Sequence, residues 1–274
     1  MKISKYHGLG NDFLITRYDS KYDSSKLATK LCEEHISIGA DGFIVLKENP
    51  LEMVFYNKDG SLAPMCGNGI RCLCHYILRN NITNSKKFDI KTLAGIMKVD
   101  VVSDKDNDFR VKINMGSPIF DNESFKAASK ESYFPMNISF ENSNYDIYSL
   151  FMGTIHTVVL VDDAIKMCDS SLGEYLCNNP LFKEKTNVNF VSRIDEENYI
   201  IRTYERGVGF TYACGTGACA AFVVLNKLKK VGNCCNMHLK YGILKISKDN
   251  DSIFMDGPSC HVFDTEIEDD IYEI

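Results

Sequence analysis

Two short stretches of this chain set a thiol before glycines at the head of an apolar run: Met65-Cys66-Gly67-Asn68-Gly69-Ile70-Arg71-Cys72 and Tyr212-Ala213-Cys214-Gly215-Thr216-Gly217-Ala218-Cys219-Ala220. Each reads as a cysteine at a helix start, where unpaired backbone N–H groups and the partial positive end of the helix make an anion site. The glycines remove side chains that would keep a carboxylate from those N–H groups. The same field favours thiolate and draws a cysteine below its ordinary pKa of about 8.5. Each motif therefore offers an anion cradle and a base together. If two such helix starts share one small carboxylate, one thiolate can take a proton from the neighbouring carbon while the opposite thiol delivers one to its other face. That pair inverts a stereocentre, and an α-amino acid meets the requirement. Its carbanion would be stabilised by fixed dipoles and hydrogen bonds in a dry site.

The elements that must position these thiols recur along the chain. Asn57 precedes Cys66 by nine residues and Glu205 precedes Cys214 by nine, each near the end of a strand pattern, Met53 to Tyr56 and Tyr199 to Tyr204. Beyond the thiols, Ile90 to Val99 parallels Leu239 to Ile246, with Gly95 following Cys66 by 29 residues and Gly242 following Cys214 by 28. Met115-Gly116-Ser117-Pro118 is echoed by Met255-Asp256-Gly257-Pro258. Helices are expected over Lys26 to His35, Ile70 to Arg79 and Ala218 to Lys229; the last is apolar nearly all round and must be enclosed by sheet. The expectation is an α/β protein of two pseudo-symmetric domains, each a curled, mostly antiparallel sheet wrapped around a central helix. Residues 1–116 with 262–274 would carry Cys66, and residues 117–261 would carry Cys214.

Composition narrows the setting. With 274 residues, 45% hydrophobic and 25% charged, the chain is an ordinary globular one. A net charge of −6 argues against a nucleic-acid partner. No apolar run approaches the roughly 20 residues of a membrane span, and the start lacks a signal-peptide core, so no membrane partner and a cytoplasmic location are expected. Eleven cysteines, an odd number without an export signal, suit thiols in a reducing compartment better than a disulfide framework. Cys32, Cys168 and Cys177 read as buried small hydrophobes, and Cys72, Cys74 and Cys219 as helix packing residues.

Several blocks together resemble the diaminopimelate epimerase family: His7-Gly8-Leu9-Gly10-Asn11-Asp12-Phe13, Gly39-Ala40-Asp41-Gly42, Asn57-Lys58-Asp59-Gly60-Ser61, Tyr204-Glu205-Arg206-Gly207 and the two cysteine stretches, in the family's order. The resemblance implies a two-domain isomerase that works with no pyridoxal phosphate, other cofactor or metal, supplying lysine and cell-wall synthesis. Its partner would be a small amino acid substrate, and a homodimer is compatible with it. Carried over, Cys66 and Cys214 are the acid/base pair, and Gly67, Asn68, Gly215 and Thr216 bind the reacting carboxylate through backbone N–H groups. Asn11, His156 and Glu205 contact the reacting end, while Asn57, Asn187 and Arg206 hold the distal end, where a guanidinium can grip a carboxylate in a bidentate way. One block departs from the family: Gly153-Thr154-Ile155-His156 stands where Gly-Asn-Pro-His is usual, so Thr154 replaces a distal asparagine. A racemase of another amino acid, such as histidine, is the alternative this leaves open.

Plainer readings stand beside these. Cys66, Cys72, Cys74 and His75 could form a zinc cluster, but the first gap is too long for a zinc knuckle and no second pair follows at finger spacing. A thiol redox or metal-binding protein is the remote alternative. Cys234-Cys235 reads as structural, Glu205-Arg206 taken alone as a solvated pair, and the acidic run Glu266 to Asp270 as solvated surface.

Overall fold

The structure, a computed structural model, describes residues 1–105, 107–120 and 134–268. Asp269 and Asp270 of the acidic run, and 269–274 of the expected first half, lie outside the described residues. The chain forms two compact units, Met1–Ile113 with Gly257–Ile274, and Asn114–Asp256. Residues 257–261 thus belong with the first unit rather than the second, because Ser259 N bonds to Phe109 O and Pro258 O accepts from Arg71, and 114–116 belong with the second, where Met115 N bonds to Ile253 O and Ile253 N to Gly116 O. Among the described residues no helix is long and apolar enough to cross a membrane.

In chain order the elements are β1 (Lys2–Gly8), β2 (Asn11–Arg17), α1 (Ser24–Leu31), β3 (Gly42–Glu48), β4 (Leu51–Asn57), β5 (Leu62–Ala63), α2 (Gly67–Arg79), β6 (Lys87–Thr92), β7 (Gly95–Lys105) and β8 (Asp108–Asn114). They continue as β9 (Met136–Phe140), β10 (Ser143–Phe151), β11 (Ile155–Leu160), α3 (Leu172–Cys177), β12 (Asn187–Arg193), β13 (Asn198–Glu205) and β14 (Gly209–Thr211). Helix α4 (Gly215–Lys227), β15 (Cys234–Leu239), β16 (Gly242–Asp249), β17 (Ser252–Pro258) and β18 (Cys260–Glu266) complete the chain.

Strand pairing makes the internal repeat explicit. The first unit runs β18-β1-β2-β3-β4-β6-β7-β8, with β5 folded back on β4. The second runs β9-β10-β11-β12-β13-β15-β16-β17, with β14 folded back on β13. Parallel pairs fall at the same places in both, β2–β3 and β4–β6 matching β11–β12 and β13–β15, and the rest are antiparallel. The repeat is therefore circularly shifted, since the first unit takes its outermost strand from the end of the chain.

Each unit closes around one helix. Helix α2 touches β18, β1, β2 and β3 at one side of its sheet and β7 near the other, and α4 touches β10 to β13 as well as β15 and β16. A sheet reaching one helix from both sides must curl, as its intrinsic twist permits. Ala218, Phe222, Val224 and Leu225 of α4 are all fully buried, each large apolar side chain contributing about 1.5–3 kcal/mol. Strand β12 is buried on both faces: Val188 and Phe190 join a cluster with Leu172, Leu176 and Phe182, while Asn189 faces the first turn of α4.

Two local expectations, the extent of the first helix and the burial of Cys168, need revision. Helix α1 is shorter than Lys26 to His35, starting at Ser24 with Asp23 as N-cap and ending at Leu31, because Gly39 N and Ala40 N fold back onto the carbonyls of Leu31 and Cys32. The stretch His7 to Asp12 is a tight β-hairpin, with only Leu9 and Gly10 outside the strands and both at positive φ (60° and 89°); paired positive φ values are what a two-residue hairpin turn requires. Cys168 is only partly buried, in a 3-10 turn at Lys166–Asp169. Cys32, Cys177, Cys72, Cys74 and Cys219 are buried within the core.

Candidate active site

In the first unit Cys66 is the N-cap of α2, in extended conformation (φ −134°, ψ 119°), and its carbonyl accepts from Ile70 N at 2.9 Å to close the first turn. The N–H groups of Gly67 and Asn68 thus belong to the open turn that a helix cannot satisfy internally. Around the thiol runs a string of polar side chains whose direction is set at both ends by charge. Asp41 Oδ2 accepts from Asn11 Nδ2 (2.6 Å) and from Asp12 N (3.1 Å). Asn11 Oδ1 in turn accepts from Asn68 Nδ2 (3.1 Å) and lies 3.8 Å from the donating Cys66 Sγ. Asn68 Oδ1 accepts from Arg71 at 2.9 Å. An arginine can only donate and a carboxylate can only accept, so both amides have one permitted orientation.

Arg71 is fully buried, which a guanidinium tolerates only when its donors are matched. Besides Asn68 it donates to Pro258 O (3.0 Å) and Gly67 O (3.3 Å), and a Cβ on Gly8 would come within 3.0 Å of it. Neither Asp41 nor Arg71 is among the expected site residues, although both lie in the blocks Gly39-Ala40-Asp41-Gly42 and Cys66-Gly67-Asn68-Gly69-Ile70-Arg71; in the latter, positions three and four apart share a helix face. Asn57 is placed in its own turn, donating to Ser61 Oγ at 3.0 Å, and pairs with Gly42 across β3 and β4.

In the second unit Cys214 is likewise an extended N-cap (φ −117°, ψ 107°), 6% exposed, with Ala218 N bonding its carbonyl at 3.0 Å. Its Sγ lies 3.5 Å from Thr216 Oγ1. Across β11 and β12, His156 pairs with Asn187. Asn187 Oδ1 accepts from Arg206 N (2.9 Å), and the Arg206 guanidinium donates to Glu184 O (2.8 Å). Glu205 accepts from the Thr211 hydroxyl across the β13–β14 hairpin. Thr154 sits in the turn between β10 and β11, its carbonyl accepting from Met152 N, and the neighbouring Gly153 packs close to the Thr216 methyl. Burial, reinforced by the Arg206 charge, holds His156 neutral by pushing its pKa down to about 3.

The structure thus joins Asn11, Cys66, Gly67 and Asn68 around one helix start, and Cys214, Gly215 and Thr216 around the other. It links Asn187 to Arg206 and sets His156 beside Asn187. The zinc reading fares poorly on geometry. Cys72 and Cys74 are fully buried in the core, and His75 stacks on Phe109 at 3.9 Å. Among the described residues no group of three His, Cys, Asp or Glu side chains is gathered to hold a metal.

The architecture is that of the racemase, epimerase and PhzF fold. A PhzF-family phenazine biosynthesis protein of Bacillus anthracis superposes with a TM-score of 0.70 at 14% identity, covering 98% of this chain and 99% of its own. A hydroxyproline epimerase of Agrobacterium vitis superposes with a TM-score of 0.68 at 13% identity, covering 97% and 90%. Within that fold, this chain belongs to the diaminopimelate epimerase family, whose pattern matches residues 3–120 and 148–262. Diaminopimelate epimerases of Halothermothrix orenii and Caldanaerobacter subterraneus are 40% and 38% identical to it, covering 97% and 98% of this chain and 98% and 100% of their own.

Proposed function

We infer that this chain is a pyridoxal-phosphate-independent isomerase that interconverts LL- and meso-diaminopimelate, a reaction of lysine and cell-wall precursor synthesis. The observation that supports the mechanism is the presence of a thiol as N-cap of the enclosed helix in both repeats. In this reading Cys66 and Cys214 are the two bases. One, as thiolate, removes the α-proton; the other, as thiol, returns a proton to the opposite face, so the thiols exchange protonation states each turnover. Backbone N–H groups of Gly67, Asn68, Gly215 and Thr216 hold the reacting carboxylate, whose charge suits a helix start. Asn11, His156 and Glu205 serve the reacting end, and Asn57, Asn187, Arg206 and Thr154 the distal one. The enzyme is read as cytoplasmic and able to form a homodimer.

In deuterated water the protein should place solvent deuterium on the α-carbon of diaminopimelate while inverting it. Cys66→Ala and Cys214→Ala should each cut inversion by about 10³-fold or more, on the scale of losing a proton-transfer group. Inversion that survives either substitution refutes the two-thiol mechanism. A substrate panel including histidine, run on the wild type and on Thr154→Asn, tests the distal end; faster turnover of histidine than of diaminopimelate would overturn the substrate assignment.

A further inference from the structure

His156 is fully buried, yet its Nε2 has no hydrogen-bond partner among the described residues. Its other ring nitrogen, Nδ1, lies 3.2 Å from Asn189 Nδ2. The orientation of the Asn189 amide is not open to choice. Its Nδ2 also reaches the carbonyl oxygens of Thr157 (3.2 Å) and Asn187 (3.4 Å), while Oδ1 accepts from Thr203 Oγ1 at 3.0 Å. Turned the other way, the amide oxygen would face two carbonyl oxygens. Asn189 therefore faces Nδ1 with its amino group, which can donate and cannot accept, so an Nδ1–H would meet it donor against donor. A neutral imidazole carries one proton, which this arrangement leaves on Nε2.

The same amide braces the second helix start. A Cβ at Gly217 would stand 2.2 Å from Asn189 Oδ1 and 3.2 Å from Cys214 Sγ, so the side chain of Asn189 fills the space against the first turn of α4. A buried donor without an acceptor is destabilising, and a ring held so firmly with its N–H unmet is built for an acceptor that arrives with a ligand.

We propose that Asn189 is a positioning residue that holds His156 as its Nε2–H tautomer, so that the ring donates a hydrogen bond to an oxygen of the substrate's reacting end. Asn189 itself touches no substrate. The assignment of the acceptor rests on the epimerase reading; the tautomer does not.

The experiment pairs nitrogen NMR of histidine-labelled protein with steady-state kinetics, His156 being identified by its loss in His156→Gln. Wild type should show His156 protonated at Nε2 and bare at Nδ1. Asn189→Ala should release that preference. Asn189→Asp, whose carboxylate attracts a proton to Nδ1, should reverse it or charge the ring. Diaminopimelate kcat should fall about 100-fold or more in Asn189→Asp, in line with the cost of a wrong histidine tautomer elsewhere, while KM stays within about threefold. Protonation at Nδ1 in wild type overturns the proposal at once, whether or not Asn189→Asp folds. A folded Asn189→Ala with altered tautomer and unchanged kcat overturns the positioning role. Failure of wild type to turn over diaminopimelate would instead strike the epimerase reading and leave the tautomer measurement standing.

Discussion

The two units repeat one strand order and one N-cap cysteine, yet they hold their thiols by different means. Register aligns them residue by residue. Phe13 pairs with Gly42 and Gly42 with Asn57, as His156 pairs with Asn187, whose neighbour Val188 pairs with Tyr204. Asn11, Asp41, Asn68 and Arg71 thereby correspond to Thr154, Thr186, Thr216 and Cys219. A string that ends in a carboxylate and a guanidinium in one unit is matched by three hydroxyls and a thiol in the other. There the polar order comes from Asn189, oriented by backbone carbonyls rather than by charge. The backbone frame has been kept through the repeat, while the groups that orient the reactive atoms have diverged.

The two units should differ most at the paired glycines of their helix starts. A Cβ on Gly217 would lie 2.2 Å from Asn189 Oδ1, whereas one on Gly69 would meet the Met53 and Ile44 side-chain ends at 3.0 and 3.1 Å and Cys66 Cβ at an ordinary 3.4 Å. Forcing the Asn189 amide aside should cost about 2–3 kcal/mol, typical of overpacking, and appear as a loss of kcat on the order of 100-fold in Gly217→Ala. Gly69→Ala should lose less than about fivefold, because side-chain ends can yield and alanine favours helix by up to about 1 kcal/mol. Equal losses, measured with circular dichroism as a check on folding, would mean that the second unit does not depend on Asn189.

A smaller effect is expected at the acidic end of the first unit's string. Asp41→Leu removes the acceptor of Asn11 Nδ2 and should lower kcat about tenfold, or roughly 1.4 kcal/mol, just under the range of one hydrogen bond to a charged group. Asp41→Asn keeps a carbonyl there and should stay within about threefold. If the two variants behave alike, the charged end is not what orients Asn11.

Acid stability should distinguish the units most gently. The counterpart of His156 is Phe13, which cannot titrate. The folded-state pKa of His156, about 3, lies below the roughly 6.5 of an unfolded histidine. Its contribution is therefore complete above about pH 6.5 and is lost as the pH falls, by up to about 1.4 kcal/mol per unit. Denaturant titrations at pH 7 and pH 5 should show wild type losing about 1–2 kcal/mol more than His156→Gln. An equal loss would mean that the ring is already charged, or reachable by water, in the folded protein.

By itself the sequence determined the two helix starts, their cysteines and the repeat that joins them. It could do so because glycine spacing, apolar periodicity and turn residues act over a few neighbouring positions. The enclosed helices were legible for the same reason: Ala218 to Leu225 has no polar face to give to water. Tertiary structure alone decided that Arg71 is buried and orients Asn68, that Asp41 holds Asn11 across 30 residues of chain, and that Asn189 sits against His156, 33 residues away. Those contacts depend on which strands lie side by side and in what register. An asparagine in a strand looks alike whether it faces water or a buried imidazole; only its neighbours across the sheet determine which hydrogen bonds it must make.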